Sequence, residues 1–304
     1  MVPSLQSDVR RCSVAPAAVA ALQRLPRLLP HEWLCGLLLV CVWARLVWTI
    51  GFFARDTILF LFFIAVNVAV VAFCAYRGTD FHWRLRLLFY PVVMNLVYFI
   101  LKTAVPSIHP TLEDETLQAV DRWLIGMDLS LRLEPWVHPA FTEFFSFCYL
   151  WYLFYLFSSQ IEYLLGDLKI LKTYYGGLFS IYGVGYMGYS TLPALGPYLA
   201  MAGEFQVALE GWWFTQITSE IVLAASNRVD IFPSLHVANS LYILLFDLRH
   251  KPWRFWLYLV PCAGLFISTI YLRYHYFIDI LCGLVLSVLA LWLSALPERR
   301  KHEQ

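Results

Sequence analysis

Apolar residues fall in eight long runs, near 33–53, 58–76, 85–101, 140–165, 173–192, 234–246, 253–272 and 274–296, separated by shorter segments that hold most of the charge. A helix rises about 1.5 Å per residue and needs roughly 20 apolar residues to cross the hydrocarbon core of a bilayer. The pattern therefore predicts an all-α fold, a polytopic transmembrane bundle of about eight spans. It divides the chain into a cytoplasmic tail at 1–32, two N-terminal helices over 33–82, a larger membrane domain over 83–296, and a second short tail at 297–304. No internal repeat or low-complexity run interrupts it.

Composition agrees. Of 304 residues, 60% are hydrophobic and 14% charged, whereas an ordinary soluble domain is about a quarter charged. A soluble globule is excluded, and the spans leave no room for a separate soluble domain. The net charge of +1 gives no reason to expect nucleic acid as a partner. Seven cysteines lie in or beside apolar stretches without C-x-x-C or zinc-ligand spacing, so they read as small core residues. Neither a metal nor a cofactor is expected. Arg24 and Arg27 break the Ala-rich N-terminal stretch before it becomes a signal-peptide core, leaving a tail with a short interfacial helix over 17–29.

Charge placement sets the orientation. With the N-terminus inside, fifteen of the 22 Lys and Arg fall on cytoplasmic segments. The other side keeps Arg55, Lys102, Arg122, Arg132, Arg228 and Arg273, and Arg45 lies inside the first span. Two long segments, 103–139 and 193–233, face that other side and combine acids with Trp and Leu. They read as interfacial lids. Thr111 with Asp114 is a helix-start signal, after which Leu117, Val120 and Leu124 share one face.

Two strings place ionisable residues at span ends on this non-cytoplasmic side: Phe232-Pro233-Ser234-Leu235-His236, and 268–279, which contains Arg273, His275 and Asp279. A helix beginning at Pro233 would leave first-turn amides free beside Ser234 and His236, an anion site by dipole and by donors. His275 and Asp279, four apart, share a helical face, so the carboxylate can orient the imidazole. The chemistry these residues suit is attack by His275 on phosphorus, with His236 giving a proton to the leaving oxygen and Lys102, Arg228 and Arg273 neutralising phosphate.

Pro233-Ser234-Leu235-His236 resembles the second signature of the type 2 phosphatidic acid phosphatase superfamily, and His275 with Asp279 resembles the end of its third. The Ser-Leu-His form, Thr269-Ile270-Tyr271, and the string from His275 to Asp279 are more similar to the inositol phosphorylceramide synthase branch. The strings 121–128 and 192–197 resemble segments of that branch's bacterial members. The resemblance, over about 85–290, implies a six-helix phosphatase-like core with His275 as nucleophile, Asp279 as its orienting carboxylate, His236 as general acid and Ser234 as phosphate ligand. It implies a membrane phospholipid substrate with water or an alcohol, such as a second lipid, as acceptor. The chain departs from the family at two guanidiniums. Lys102 matches the first signature but is followed by His109-Pro110 where Arg-Pro is usual, and Thr269 stands where Arg follows Ser in the third.

Plainer readings stand beside these. His109 and His138 serve equally as interface residues, Lys102 as a snorkelling span end, Arg228 as a partner of Asp230, Arg273 as a helix anchor, and Asp128 as a loop solvator. The aromatic stretch 149–157 reads as helix packing and lipid contact rather than a ligand box. Arg45 and Glu162, both within spans, invite a mutual or backbone pairing near the cytoplasmic side. A transporter or a haem protein would also use paired histidines, but a conduction path needs charge near mid-bilayer on several helices, and haem would leave Ser234 and Asp279 without a task. Cysteine labelling in intact cells should modify a probe placed near Asp114 without permeabilisation; labelling only after permeabilisation would reverse the orientation.

Overall fold

The computed structural model describes residues 28–302, with side chains to Ala295. The helix expected over 17–29 falls almost wholly outside that range, as does Cys12. Twelve α-helices are present among the described residues, and no strand. In chain order they are α1 Pro30–Ile50, α2 Arg55–Arg77, α3 Asp80–Ile108, α4 Asp114–Ile125, α5 Leu129–Arg132, α6 Pro139–Leu165, α7 Leu168–Thr191, α8 Pro197–Ala200, α9 Trp213–Ala225, α10 Leu235–His250, α11 Pro252–Tyr271 and α12 Phe277–His302.

The eight long helices occupy the eight apolar runs, but only six are long and apolar enough to cross a membrane by those criteria alone. The exceptions are α10, which has only 16 residues, and α7, whose position explains it. Buried positions make up 14 of the 24 residues of α7 and 10 of the 16 of α10, against 6 of the 23 of α2. α7 packs on α1, α3, α10 and α12, while α10 packs on α11 and α12. Helices that face other helices can carry Tyr, Gly, Ser and Asn where lipid-facing ones cannot. The two most buried long helices are thus the centre of the bundle, and the chain is a multi-pass integral membrane protein.

Buried charge is paired at the end of the bundle where α10 finishes. Asp247 accepts from Arg254 Nε at 2.9 Å and from the hydroxyls of Tyr155 and Tyr163. Glu162 joins the same group through Arg254 and Lys251. Arg86 Nε donates to Glu32 at 2.6 Å, tying α3 to α1. Of the mutual and backbone pairings open to Arg45, the backbone one is found: Arg45 donates to the Ser190 carbonyl at 2.8 Å, near the C-terminal ends of α1 and α7 and away from Glu162.

The opposite end is closed by the segment between α3 and α6. Only three residues of α4 are buried, Asp114, Leu117 and Asp121, and two of these are carboxylates. Val120 and Leu124, which share the apolar face of this helix with Leu117, are half-buried and exposed. The helix is held by its acids. Asp114 accepts from the amides of Leu195 and Gly196 at 3.0 and 2.9 Å and from the Tyr276 hydroxyl at 2.8 Å. Asp121 accepts from the amides of Phe277 and Ile278, the first two of α12, at 2.7 and 2.8 Å. The strings 121–128 and 192–197, far apart in sequence, are both tied by this lid helix to the start of α12.

An unmatched first-turn amide costs on the order of 1 kcal/mol. Asp121→Ala, which strips two, should lower the unfolding midpoint in detergent by several degrees, with Asp121→Asn in between. Tryptophan fluorescence during heating reads this.

Candidate active site

Three turns of backbone bring the histidines together. α11 ends at Tyr271, and the chain reverses through Arg273, whose φ is 66°. Tyr274 N and His275 N both donate to the Thr269 carbonyl at 2.9 Å, which holds the reversal. α12 then begins at Phe277. Ser234 is the N-cap of α10, and its amide donates to the Asp279 carbonyl at 3.1 Å. That contact requires close approach of α12: a Cβ on Gly283 would lie 2.6 Å from the Ser234 carbonyl oxygen. Gly196, with φ 84° and its Cβ direction 2.6 Å from the Tyr274 carbonyl, lets the α7–α8 loop press on the other side of the reversal.

His275 is 2% exposed and Asp279 fully buried. His275 Nδ1 lies 3.4 Å from Asp279 Oδ2, which also accepts from the Tyr276 amide at 2.8 Å. His275 Nε2 lies 3.5 Å from His236 Nδ1, and His236 Nε2 lies 3.0 Å from the Tyr149 hydroxyl. Carboxylate, imidazole, imidazole and phenol form one chain, in which the Asp279 end is dry. Asp121, outside the spans, supports that end from α4; burial pushes its carboxyl above the usual range, against the pull of the two α12 amides.

Both histidines line a cavity of about 270 Å³. One end is polar, with Tyr274 and Asn239 near the imidazoles; Asp230, also in the lining, is bonded to Tyr98 of α3 and to Ser226. The other is apolar, with Phe99, Leu150, Leu153, Leu156, Phe157 and Ile221 between α3, α6 and α9. Phe99 is 61% and Phe157 54% exposed on their outer faces, so the apolar end reaches the lipid-facing surface of the bundle.

The expected phosphate ligands are placed differently. Ser234 is fully buried and absent from the cavity lining: it begins α10 itself, one residue after Pro233, and its hydroxyl faces the Val237 amide at 3.5 Å. Lys102 and Arg228 are exposed and outside the lining. Arg228 makes no ion pair with Asp230 among the described residues; Asp230 accepts instead from Tyr98 and from Ser226 Oγ at 3.1 Å. Arg273 points away from the cavity, donating to the Val207 carbonyl at 2.6 Å, with Glu134 at 3.5 Å and the Phe205 ring 3.8 Å from its guanidinium carbon. It anchors the 193–233 lid. Asp128 is held by Arg122 at 3.2 Å. His109 closes a turn on Thr111, and His138 caps α6.

Residues overlooked in the sequence lie on α6 and α7. Tyr149 and Tyr152 sit within the aromatic stretch read as packing, yet both line the cavity and both rings lie within 5 Å of the His236 ring, centroid to centroid. Their signal was a repeat of Tyr at 149, 152 and 155, a hydroxyl-bearing stripe at helical spacing that lipid contact alone would not ask for.

A family model described as the PAP2 superfamily matches residues 115–293, more than half of the chain. The chain belongs to the PAP2 superfamily. A PA-phosphatase related-family protein of Dictyostelium discoideum is 30% identical over 125 residues, which is 40% of this chain and 23% of that protein. The match thus spans about a quarter of that relative's length. No solved structure matches. The PAP2 match takes in the lid helix α4 together with both histidine strings, the same parts that the Asp114 and Asp121 contacts join.

Tyr149 positions His236 from behind. Tyr149→Phe, which keeps the ring and removes the hydroxyl, should lower kcat about tenfold, the equivalent of roughly 1.4 kcal/mol, with KM little changed. Tyr149→Leu, which also removes the wall beside the imidazole, should raise KM as well. Steady-state kinetics of the two variants separates hydrogen bond from packing.

Proposed function

We propose that the protein takes the phosphate-bearing headgroup of a membrane lipid onto His275 and passes it to an acceptor alcohol, in the manner of the inositol phosphorylceramide synthase branch. Hydrolysis, in which water is the acceptor, is the alternative that the name of the Dictyostelium relative suggests. The observation that carries the reading is His275 set between Asp279 and His236 at the polar end of a cavity whose other end is apolar and open to lipid. An amphiphile fits such a cavity in one direction only, phosphate toward the imidazoles.

The steps follow from the contacts. Asp279 accepts the Nδ1–H of His275, which leaves the Nε2 lone pair as nucleophile. Nε2 forms a bond to phosphorus as the bond from phosphorus to the lipid alcohol breaks. His236, entering as the imidazolium, gives its Nδ1 proton to that leaving oxygen while Nε2–H is held by Tyr149. The neutral His236 then takes a proton from the incoming alcohol or water, whose oxygen displaces His275 from phosphorus. At 3.5 Å the two rings are too close to hold a phosphoryl group between them, so the substrate parts them on entry. With no Lys or Arg in the lining, the first amides of α10 and the histidines themselves carry the neutralising role that guanidiniums fill in the family pattern. The orientation that puts fifteen cations in the cytoplasm puts this chemistry on the non-cytoplasmic leaflet.

Purified protein with a phosphate-labelled lipid should acquire acid-labile label, and His275→Ala should acquire none. Both His275→Ala and His236→Ala should lose turnover by on the order of a thousandfold. A substrate with a better leaving group should partly rescue His236→Ala alone, and Asp279→Asn should fall between. Equal labelling of His275→Ala overturns the assignment. Adding a lipid alcohol decides between a new phospholipid and free phosphate.

A further inference from the structure

The cavity contains a charge that the proposed reaction does not use. Asp230 lines it together with the two histidines, between α9 and α10, and it makes no ion pair with Lys or Arg among the described residues. Its oxygens accept only from the Tyr98 and Ser226 hydroxyls. None of the 25 lining residues is Lys or Arg. A carboxylate in the same cavity as a phosphate repels it, and one without an ion pair in a membrane cavity is costly unless something brings a cation to it.

The walls around it suit a cation of a particular kind. Eight of the lining residues are tyrosines. Tyr198, Tyr274 and Tyr149 form one continuous wall, with ring centroids 5.5 and 4.9 Å apart, that runs up to His236. Tyr98, Tyr186 and Tyr189 form another, at 6.0 and 5.5 Å. Several hydroxyls are already engaged: Tyr98 on Asp230, Tyr149 on His236, and Tyr152 accepting from Asn239. Beside their hydroxyls, the two walls offer ring faces. A bulky, weakly hydrated ammonium needs π faces and one carboxylate, and the cavity lining holds both.

Resting on the proposed function, we propose that the headgroup taken by this cavity is an amino-alcohol phosphate of the phosphocholine class, its ammonium held between Asp230 and the tyrosine faces while its phosphate meets His275. Such a headgroup brings its own cation. Its ammonium balances the charge of its own phosphate and can sit against Asp230, so the headgroup adds no net charge to a cavity that offers phosphate no guanidinium. The atoms transferred are those of the reaction above, with the choline ester remaining on phosphorus and the diacylglycerol oxygen leaving.

Binding can be read apart from turnover. On His275→Ala in a detergent without choline, phosphocholine, its uncharged isostere 3,3-dimethylbutyl phosphate, and inositol phosphate are titrated against tryptophan fluorescence. Phosphocholine should bind at least tenfold more tightly than either of the others. Asp230→Asn should remove most of that preference. Tyr198→Phe should keep it, and Tyr198→Leu, on the partly exposed edge of the wall, should weaken it several-fold. The Tyr198 pair keeps the test open should Asp230→Asn not fold. Equal binding of phosphocholine and its isostere overturns the proposal, as does tighter binding of inositol phosphate or equal loss in Tyr198→Phe and Tyr198→Leu. Wild-type protein given choline, inositol and unsubstituted phosphate lipids separates the two readings. Turnover of the latter two but not the first sinks the headgroup assignment alone, whereas no turnover or labelling with any lipid sinks the phosphotransfer reading itself.

Discussion

Inside a membrane bundle the first amides of a helix have no water to turn to, so the group that accepts from them decides where the helix starts and how its first turn is aimed. For α12 that group is Asp121, whose two oxygens take the amides of Phe277 and Ile278. The first turn of α12 carries Asp279, and the residues just before it carry His275. Asp279 in turn accepts from the Tyr276 amide, and its own carbonyl accepts from Ser234, the cap of the helix that carries His236. A lid helix with an otherwise thin apolar face thus fixes the relative position of both imidazoles. This makes sense of burying two carboxylates on α4, a cost that structure alone would not impose.

Polar groups in this bundle divide by end. Where α10 finishes, charge is paired with charge, as in Asp247 with Arg254 and Glu32 with Arg86. Where α10 begins, Asp114, Asp121 and Asp230 meet amides and hydroxyls instead, and the ion pairs there, Arg122 with Asp128 and Arg273 with Glu134, belong to the lid segments outside the cavity lining. An end locked by ion pairs is rigid and closed to ligands. An end whose acids accept from neutral donors keeps net charge available to whatever enters. That asymmetry places the cavity, the histidines and the thin interfacial helices together, away from the paired charges.

Much of this was legible in the sequence because the signal was local. Eight apolar runs gave eight long helices, and the four-residue spacing of His275 and Asp279 gave their contact. The lid helix was legible from Asp114, but the face it buries was not: Leu117, Val120 and Leu124 were the apolar choice, whereas the tertiary partners of α4 are backbone amides, so Asp121 took the inner place. The residues expected at phosphate lie outside the cavity lining for a similar reason. Lys102, Arg228 and Arg273 were chosen by side and proximity in sequence, and a long cation at an interface goes where water or a carbonyl satisfies it, as Arg273 does at Val207. The helix starts at Leu235, two residues beyond Pro233, which makes Ser234 its cap with the hydroxyl turned to the Val237 amide. The tyrosine stripe on α6 escaped because a hydropathy pattern cannot tell a ring that meets lipid from one that meets a cavity.

The two positions where the chain lacks the family's arginines show what replaces them. Thr269 is buried, its hydroxyl bonded to Phe266 and its carbonyl taking the amides of Tyr274 and His275. His109 turns back on Thr111, outside the cavity lining. Neither supplies charge, so a bare phosphate monoester would enter a cavity with one carboxylate and no guanidinium. A long arginine at 269 would also have to find space beside the carbonyl that now holds the His275 reversal. The absence of Lys and Arg from the lining and the presence of Asp230 among tyrosines bear on one constraint, and under the proposed function they act together: a headgroup that carries its own counter-ion meets less repulsion there than one with uncompensated negative charge.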